Sequence, residues 1–249
     1  MTRARTLSAV ALAAVVAVVG AAALLSRDEQ PDRTAPRVRP VPNPPLPSTR
    51  PAARPPLGAR VLRRVQLRTS PGGRVVRTVG RRTGYGSQRV MGVVARRGDW
   101  VGVLSEHVAN SRTAWLPADA VEMLHEPYRL EVDLSARRLT VRREGRVVRR
   151  VRIAIGKPGT ETPTGRYAVT DSLRMRPDQP YGCCAIALTA RQPNIPQGWS
   201  GGDRIAIHGT TAEGSIGSAA SNGCLRASDQ DMRWLLRRVT LGALVRIRA

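Results

Sequence analysis

Phenylalanine is absent from this 249-residue chain, and four Trp and four Tyr are its only aromatics. A single-strand nucleic-acid binder built on aromatic stacking platforms is therefore disfavoured. Three cysteines are too few for a disulfide-dense scaffold, and the odd number leaves at least one thiol unpaired within the chain. Lysine occurs once, at Lys157, although Lys and Arg together number 41 against 18 acidic residues. The formal charge of +23 is thus almost all arginine. It is spread as +2 over residues 1–26, +3 over 27–57, +7 over 58–127 and +11 over 128–249, with no basic tail. Either these arginines simply cover the surface, or they attract a polyanion such as nucleic acid or an anionic cell envelope. Apolar residues make up 41%, enough for a packed core, and the length suits one or two domains.

The N-terminus favours the envelope. Arg3 and Arg5 precede an apolar run from Leu7 to Leu25, 19 residues interrupted only by Ser8 and Gly20. A spanning helix needs roughly 17–25 such residues, whereas a cleavable signal has a core of ~7–15. Residues 1–26 therefore read as a membrane anchor, with Ala21-Ala22-Ala23 keeping a cleaved signal open. The early arginines should stay cytoplasmic, which puts the remainder outside and argues against nucleic acid as partner. The expected location is the extracytoplasmic face of the plasma membrane, or the cell wall after secretion. Residues 27–57 hold ten of the nineteen prolines. Proline removes the amide donor and fixes φ, so this stretch reads as an extended, semi-rigid linker.

Two β-rich units follow, at 58–126 and 127–249. In the first, Val65 and Leu67 alternate with polar neighbours, Pro71-Gly72-Gly73 signals a turn, and Val90–Val94 and Trp100–Leu104 read as strands joined through Gly98-Asp99. Its "VQLRTSPGG", "RRGDWVGV" and "RTAWLPADAVEM" segments resemble a bacterial SH3-like domain, a small β-barrel family that often binds peptidoglycan. In the second unit, Tyr128–Leu134, Leu139–Val141, Val147–Ile155, Tyr167–Val169, Ala185–Leu188 and Arg204–Ile207 are strand candidates, as is the segment around Leu244 and Arg246. Val147, Val151, Ile153 and Ile155 should share one face of a single strand. Ser228 can cap a helix whose apolar face is Met232, Leu235, Leu236 and Val239. The class is all-β dominated, with one or two helices.

The chemistry centres on Cys224, in Ser221-Asn222-Gly223-Cys224-Leu225-Arg226. Gly223 permits a sharp turn, and successive amides around such a turn can form an anion nest beside the sulfur. Arg226 can favour thiolate or hold a substrate carboxylate. A base is needed, and the histidines are His107, His125 and His208. His208 ends the apolar strand Ile205-Ala206-Ile207, a rigid support for a base.

"IHGT" at 207–210 and "SNGCLR" at 221–226 together resemble the signature of YkuD-type L,D-transpeptidases. Their carriers stand 16 residues apart, and Thr162-Pro163-Thr164-Gly165-Arg166-Tyr167 resembles the family's "TPTGxY" segment. The resemblance implies a β-sandwich catalytic domain with Cys224 as nucleophile, His208 as base and the Gly209 carbonyl orienting His208. It further implies that Gly223 and Cys224 amides hold the oxyanion, with position 222 contributing mainly its backbone amide; Ser221, Asn222, Arg226 and Tyr181 are the candidate oxyanion- and substrate-contacting residues. Many members carry His where this chain has Asn222, which removes a candidate second base. The implied reaction attacks a peptidoglycan stem tetrapeptide, releases D-Ala and leaves a thioester. A neighbouring stem's amine then gives a 3→3 cross-link, or water gives the tripeptide. Carbapenems should acylate such a cysteine. No cofactor and no metal are implied; the partners are stem peptides, anionic wall polymers and, through residues 7–25, the membrane.

Other readings stay open. A non-catalytic wall-binding protein and a thiol carboxypeptidase are the functional alternatives. Cys183-Cys184 heads an apolar strand, where adjacent side chains should face opposite sides as two small core residues. A vicinal disulfide, a Cys184–Cys224 pair and a zinc site are the other choices. Tyr181 and Trp199 either line the cleft or simply pack in the core or at the surface.

Overall fold

β-Branched residues and short glycine turns dominate the chain from Gly58 onward, and they fold as strands. The computed structural model describes residues 39–40, 58–176, 179–194 and 202–249. The run Leu7–Leu25, most of the proline-rich stretch and Trp199 lie outside the described residues. Among the described residues, no helix is long and apolar enough to cross a membrane.

In chain order the strands are β1 (Arg39–Pro40), β2 (Gly58–Val61), β3 (Val65–Arg68), β4 (Val75–Val79), β5 (Val90–Arg97), β6 (Trp100–Leu104), β7 (Thr113–Pro117) and β8 (Val121–Leu124). They continue as β9 (Tyr128–Asp133), β10 (Arg138–Arg143), β11 (Arg146–Arg152), β12 (Ile155–Gly156), β13 (Gly165–Arg174), β14 (Cys184–Arg191), β15 (Arg204–His208), β16 (Ala219–Ser221), β17 (Leu225–Arg226) and β18 (Leu244–Arg248). Helix α1 (Asp229–Leu236) is the single α-helix among the described residues.

Strands β2–β8 form one antiparallel sheet in the order β4-β3-β7-β6-β5-β2-β8, around a core that includes Leu67, Val101, Val103 and Leu116. A second sheet runs β11-β10-β9-β18-β13-β14-β15-β17, with β1 beside β13. Its bend is at β13. Residues Gly165–Ala168 pair with β18, while Val169–Arg174 pair with β14 across a register shift. The β9–β18 and β15–β17 pairs are parallel; β12 and β16 form a separate parallel pair.

The segment expected as one strand from Val147 to Ile155 is two. Val141 faces Arg149 and Arg142 faces Val147, so Val148 is the extra residue of a bulge and is 44% exposed. Val151 and Ile153 still point inward. Helix α1 starts as expected, with Ser228 Oγ accepting the Asp231 N–H at 3.1 Å. It ends at Leu236, yet Val239 stays buried and its N–H bonds Leu235 O at 2.8 Å.

The first sheet braces the second. Val90 and Leu124 belong to the larger core with Leu130, Val245 and Ile186. Asn110 clamps the end of β14: its Nδ2 donates to Arg191 O (2.7 Å) and its Oδ1 accepts the Arg191 N–H (2.9 Å). Gly92 is one close approach between them. A Cβ there would lie 2.7 Å from Ala168 Cβ and Leu244 Cδ2, and 2.9 Å from Gly242 O. Gly92→Val should therefore destabilise the chain by about 1–3 kcal/mol through overpacking. Urea unfolding checks this; an unchanged midpoint would show that the contact yields freely.

Candidate active site

The geometry begins with β15. Ile205 and Ile207 point into the core, so Arg204, Ala206 and His208 share the other face. Strand β17 lies parallel to β15 for two residues, with Ile207 facing Leu225 and His208 facing Arg226. One step earlier, Cys224 sits beside Ala206 and its sulfur takes up backbone groups that a longer ladder would use. Cys224 Sγ accepts the Ala206 N–H at 3.4 Å and approaches Arg204 O at 3.8 Å. Cys224 is free and partly accessible.

His208 is buried at the strand end. Its Nδ1 lies 2.5 Å from Gly209 O. A carbonyl only accepts, so Nδ1 carries the proton and Nε2 keeps its lone pair. Burial pulls the imidazole down to about 4, the Gly209 carbonyl opposes that, and Arg226 adds to it. Burial pushes the Cys224 thiol up, against the Ala206 N–H and Arg226, which favour thiolate. Arg226 does act in the direction expected from sequence, but burial outweighs it. Both partners therefore rest neutral, a base beside a thiol, with no hydrogen bond directly between them.

The turn that carries Cys224 is tied down carbonyl by carbonyl. Ser221 O accepts from Lys157 N–H (2.9 Å) and Thr160 Oγ1 (3.3 Å). Asn222 O accepts from Gln192 Nε2 (3.3 Å). Gly223 O accepts from Thr162 Oγ1 (2.8 Å), and Cys224 O from Ser221 Oγ (2.6 Å). Gly223 has φ +113°, and a Cβ there would collide with the Gln192 amide, so glycine is required. The expectation that both the Gly223 and Cys224 amides face a substrate meets a different arrangement. Gly223 N–H donates to Ser221 Oγ at 3.1 Å. Cys224 N–H is the one of the two without an acceptor among the described residues.

Tyr181 stands edge-on to His208, ring centroids 5.0 Å apart at 80°. Burial raises its phenol, and so do Cys224 and Tyr85, which places a residue of the first sheet's β4–β5 connection within electrostatic reach of the site. Gly209 packs against Asp229, whose Oδ1 leaves no room for a Cβ there. The same carboxylate accepts the Cys183 N–H at 3.0 and 3.1 Å. Cys183 and Cys184 are joined as a vicinal disulfide rather than lying on opposite faces. The reason is local: Gly182 at φ +61° and the Asp229 clamp hold Cys183 out of the strand that begins at Cys184. Sequence reasoning passed over Asp229 and Gln192 and gave Thr162 no role. Only Thr162, in "TPTG", carried a signal.

Two cavities among the described residues lie away from this site. One, about 300 Å³, lies on the outer sheet between Asp133, Arg138 and Arg248, and the other lies between the sheets near Arg89 and Thr170.

The neutral His208 has a readable signature. Its folded pKa, about 4, is below the ordinary 6.5, so the unfolded chain binds the extra proton between these values. The stability of neutral burial is complete above 6.5 and is lost as pH falls through 4. Glu126 has the opposite sense. Burial raises its carboxyl to about 7, against hydrogen bonds from Thr240 and Tyr128, so its contribution fades as pH rises through 7. Wild type and His208→Gln both carry Glu126, so comparing the two cancels it. Between pH 7 and pH 4.5, wild type should lose about 2 kcal/mol more unfolding free energy than His208→Gln. Equal losses would mean that His208 is protonated or solvated in the fold.

Residues 127–247 match a family model, YkuD, described as the L,D-transpeptidase catalytic domain. Over 121 residues the chain is 33% identical to the YkuD protein of Bacillus subtilis strain 168 and 32% identical to that of Bacillus licheniformis. These matches cover 49% of this chain, which spans 66% of the length of either relative. Among solved structures, an L,D-transpeptidase from Mycobacterium smegmatis is 17% identical with a TM-score of 0.43, covering 65% of this chain and 89% of that one. Another, from Mycobacterium tuberculosis H37Rv, is 19% identical with a TM-score of 0.42, covering 57% and 67%. Family model and Bacillus relatives agree on one assignment: residues 127–247 of this chain match the YkuD-type L,D-transpeptidase catalytic domain.

Proposed function

We propose that this chain is a peptidoglycan L,D-transpeptidase in which Cys224 is the nucleophile and His208 its base. The observation that carries the reading is the β15–β17 junction, which puts the sulfur beside Ala206 and an unprotonated imidazole two residues further along, inside the matched domain. Both neutral partners favour a proton transfer concerted with attack rather than a standing ion pair. The thiol proton passes to His208 Nε2 as Sγ attacks the carbonyl preceding a terminal D-amino acid in a stem peptide. The oxyanion forms within reach of the Cys224 N–H. The carbon–nitrogen bond breaks, His208 returns the proton to the leaving D-alanine, and a thioester remains on Cys224. The amine of a second stem, deprotonated by His208, attacks the thioester, releasing the thiolate and closing a 3→3 cross-link. Arg226 and Tyr181 border this path and are assigned to substrate contact.

The rest of the chain fits work at the cell wall. Residues 1–26 are assigned as an anchor, 27–57 as a linker, and 58–126 as an SH3-like domain bracing 127–249. On this reading the enzyme acts on the extracytoplasmic face, and the arginine excess attracts anionic wall polymers.

Incubation of the full-length chain with disaccharide tetrapeptide stems, followed by mass spectrometry, checks the reaction. Cross-linked dimers with loss of D-alanine are expected, and Cys224→Ala should give none. Tripeptide alone would assign the chain as a carboxypeptidase, and untouched tetrapeptide would contradict both.

A further inference from the structure

We propose that Thr162 is a positioning residue whose hydroxyl aims the Cys224 N–H at the oxyanion formed during acyl transfer. This rests on the reading of Cys224 as an acylated nucleophile. Thr162 is 3% exposed, and its hydroxyl both accepts and donates. Its Oγ1 accepts the Gly156 N–H at 2.9 Å and donates to Gly223 O at 2.8 Å. A trans peptide is planar, with its N–H opposed to its C=O. The chain has no cis bond among the described residues, so fixing the Gly223 carbonyl fixes the direction of the Cys224 amide.

That peptide needs an external hold. Gly223 is at positive φ and lacks a Cβ, which leaves its flanking peptide bonds the least hindered in the turn. Gln192 holds the preceding carbonyl, Asn222 O, and so governs a different peptide plane. Ser221 Oγ has taken the Gly223 N–H. Among these tethers, only Thr162 sets the plane whose N–H has no partner among the described residues. If the Thr162 bond were gone, a flip of this peptide would present a carbonyl where the developing negative charge needs a donor. A misaimed donor is costly because removing one oxyanion donor outright lowers turnover by roughly 10²–10³-fold.

The test compares two reactions of the same sulfur in the full-length chain. A carbapenem acylates through a tetrahedral oxyanion, whereas iodoacetamide alkylates by direct displacement and forms none. Intact-mass spectrometry follows both for wild type, Thr162→Val, Thr162→Ala and Thr162→Ser. Valine and alanine should slow acylation by about 10- to 100-fold while alkylation stays within about threefold of wild type. Serine, which keeps the hydroxyl, should restore acylation to within about fivefold. If valine does not fold, the serine–alanine pair still isolates the hydroxyl. Equal slowing of both reactions, or acylation indifferent to the hydroxyl, would overturn the assignment of Thr162. A wild type that is alkylated but never acylated would instead overturn the transpeptidase reading, and the role of Thr162 with it.

Discussion

A two-residue parallel contact between β15 and β17 governs the site. It begins only after Cys224, so the sulfur, rather than another peptide group, meets the Ala206 N–H. Because β15 alternates, the same register that buries Ile205 and Ile207 sets His208 on the face that bears Ala206. The core therefore fixes the positions of His208 and Ala206 along the strand, and with them the place of the Cys224 sulfur beside Ala206. A slip of one residue would turn His208 inward and put an isoleucine beside the sulfur.

Burial does the electrostatic work. It lowers the imidazole, raises the thiol and leaves both uncharged, although Arg226 is near enough to influence each. On the reading proposed above, a neutral resting pair keeps the cysteine from standing as a reactive thiolate and holds the Nε2 lone pair oriented for a substrate carbonyl. Around this pair the turn spends its carbonyls on Lys157, Thr160, Gln192, Thr162 and Ser221, and the Cys224 amide is left over. Preorganisation here is a matter of which polar groups are already satisfied.

The sequence made the β class, most strands and the capped helix readable, because period-two alternation and Ser228 are local signals. Cys224 and His208 were legible from the glycine beside the thiol and the strand-end position of the imidazole. The bulge at Val148 was not, since both alternations across it look alike in one dimension. Ala219–Ser221 and Leu225–Arg226 are too short to show a period at all. Gln192 and Asp229 act through contacts 30 and 46 residues away in the chain, and nothing local marks them. The fate of the Gly223 amide depends on a single rotamer of Ser221, which no motif specifies. The vicinal disulfide likewise turns on Gly182 and Asp229 holding Cys183 outside the strand that starts at Cys184.

Peptide mapping after exposure of the full-length chain to a carbapenem tests the central claim most directly. The account predicts one covalent adduct, on the peptide containing Cys224, forming far more slowly when His208 is replaced by glutamine. An adduct elsewhere, or none while the thiol remains free, would contradict it.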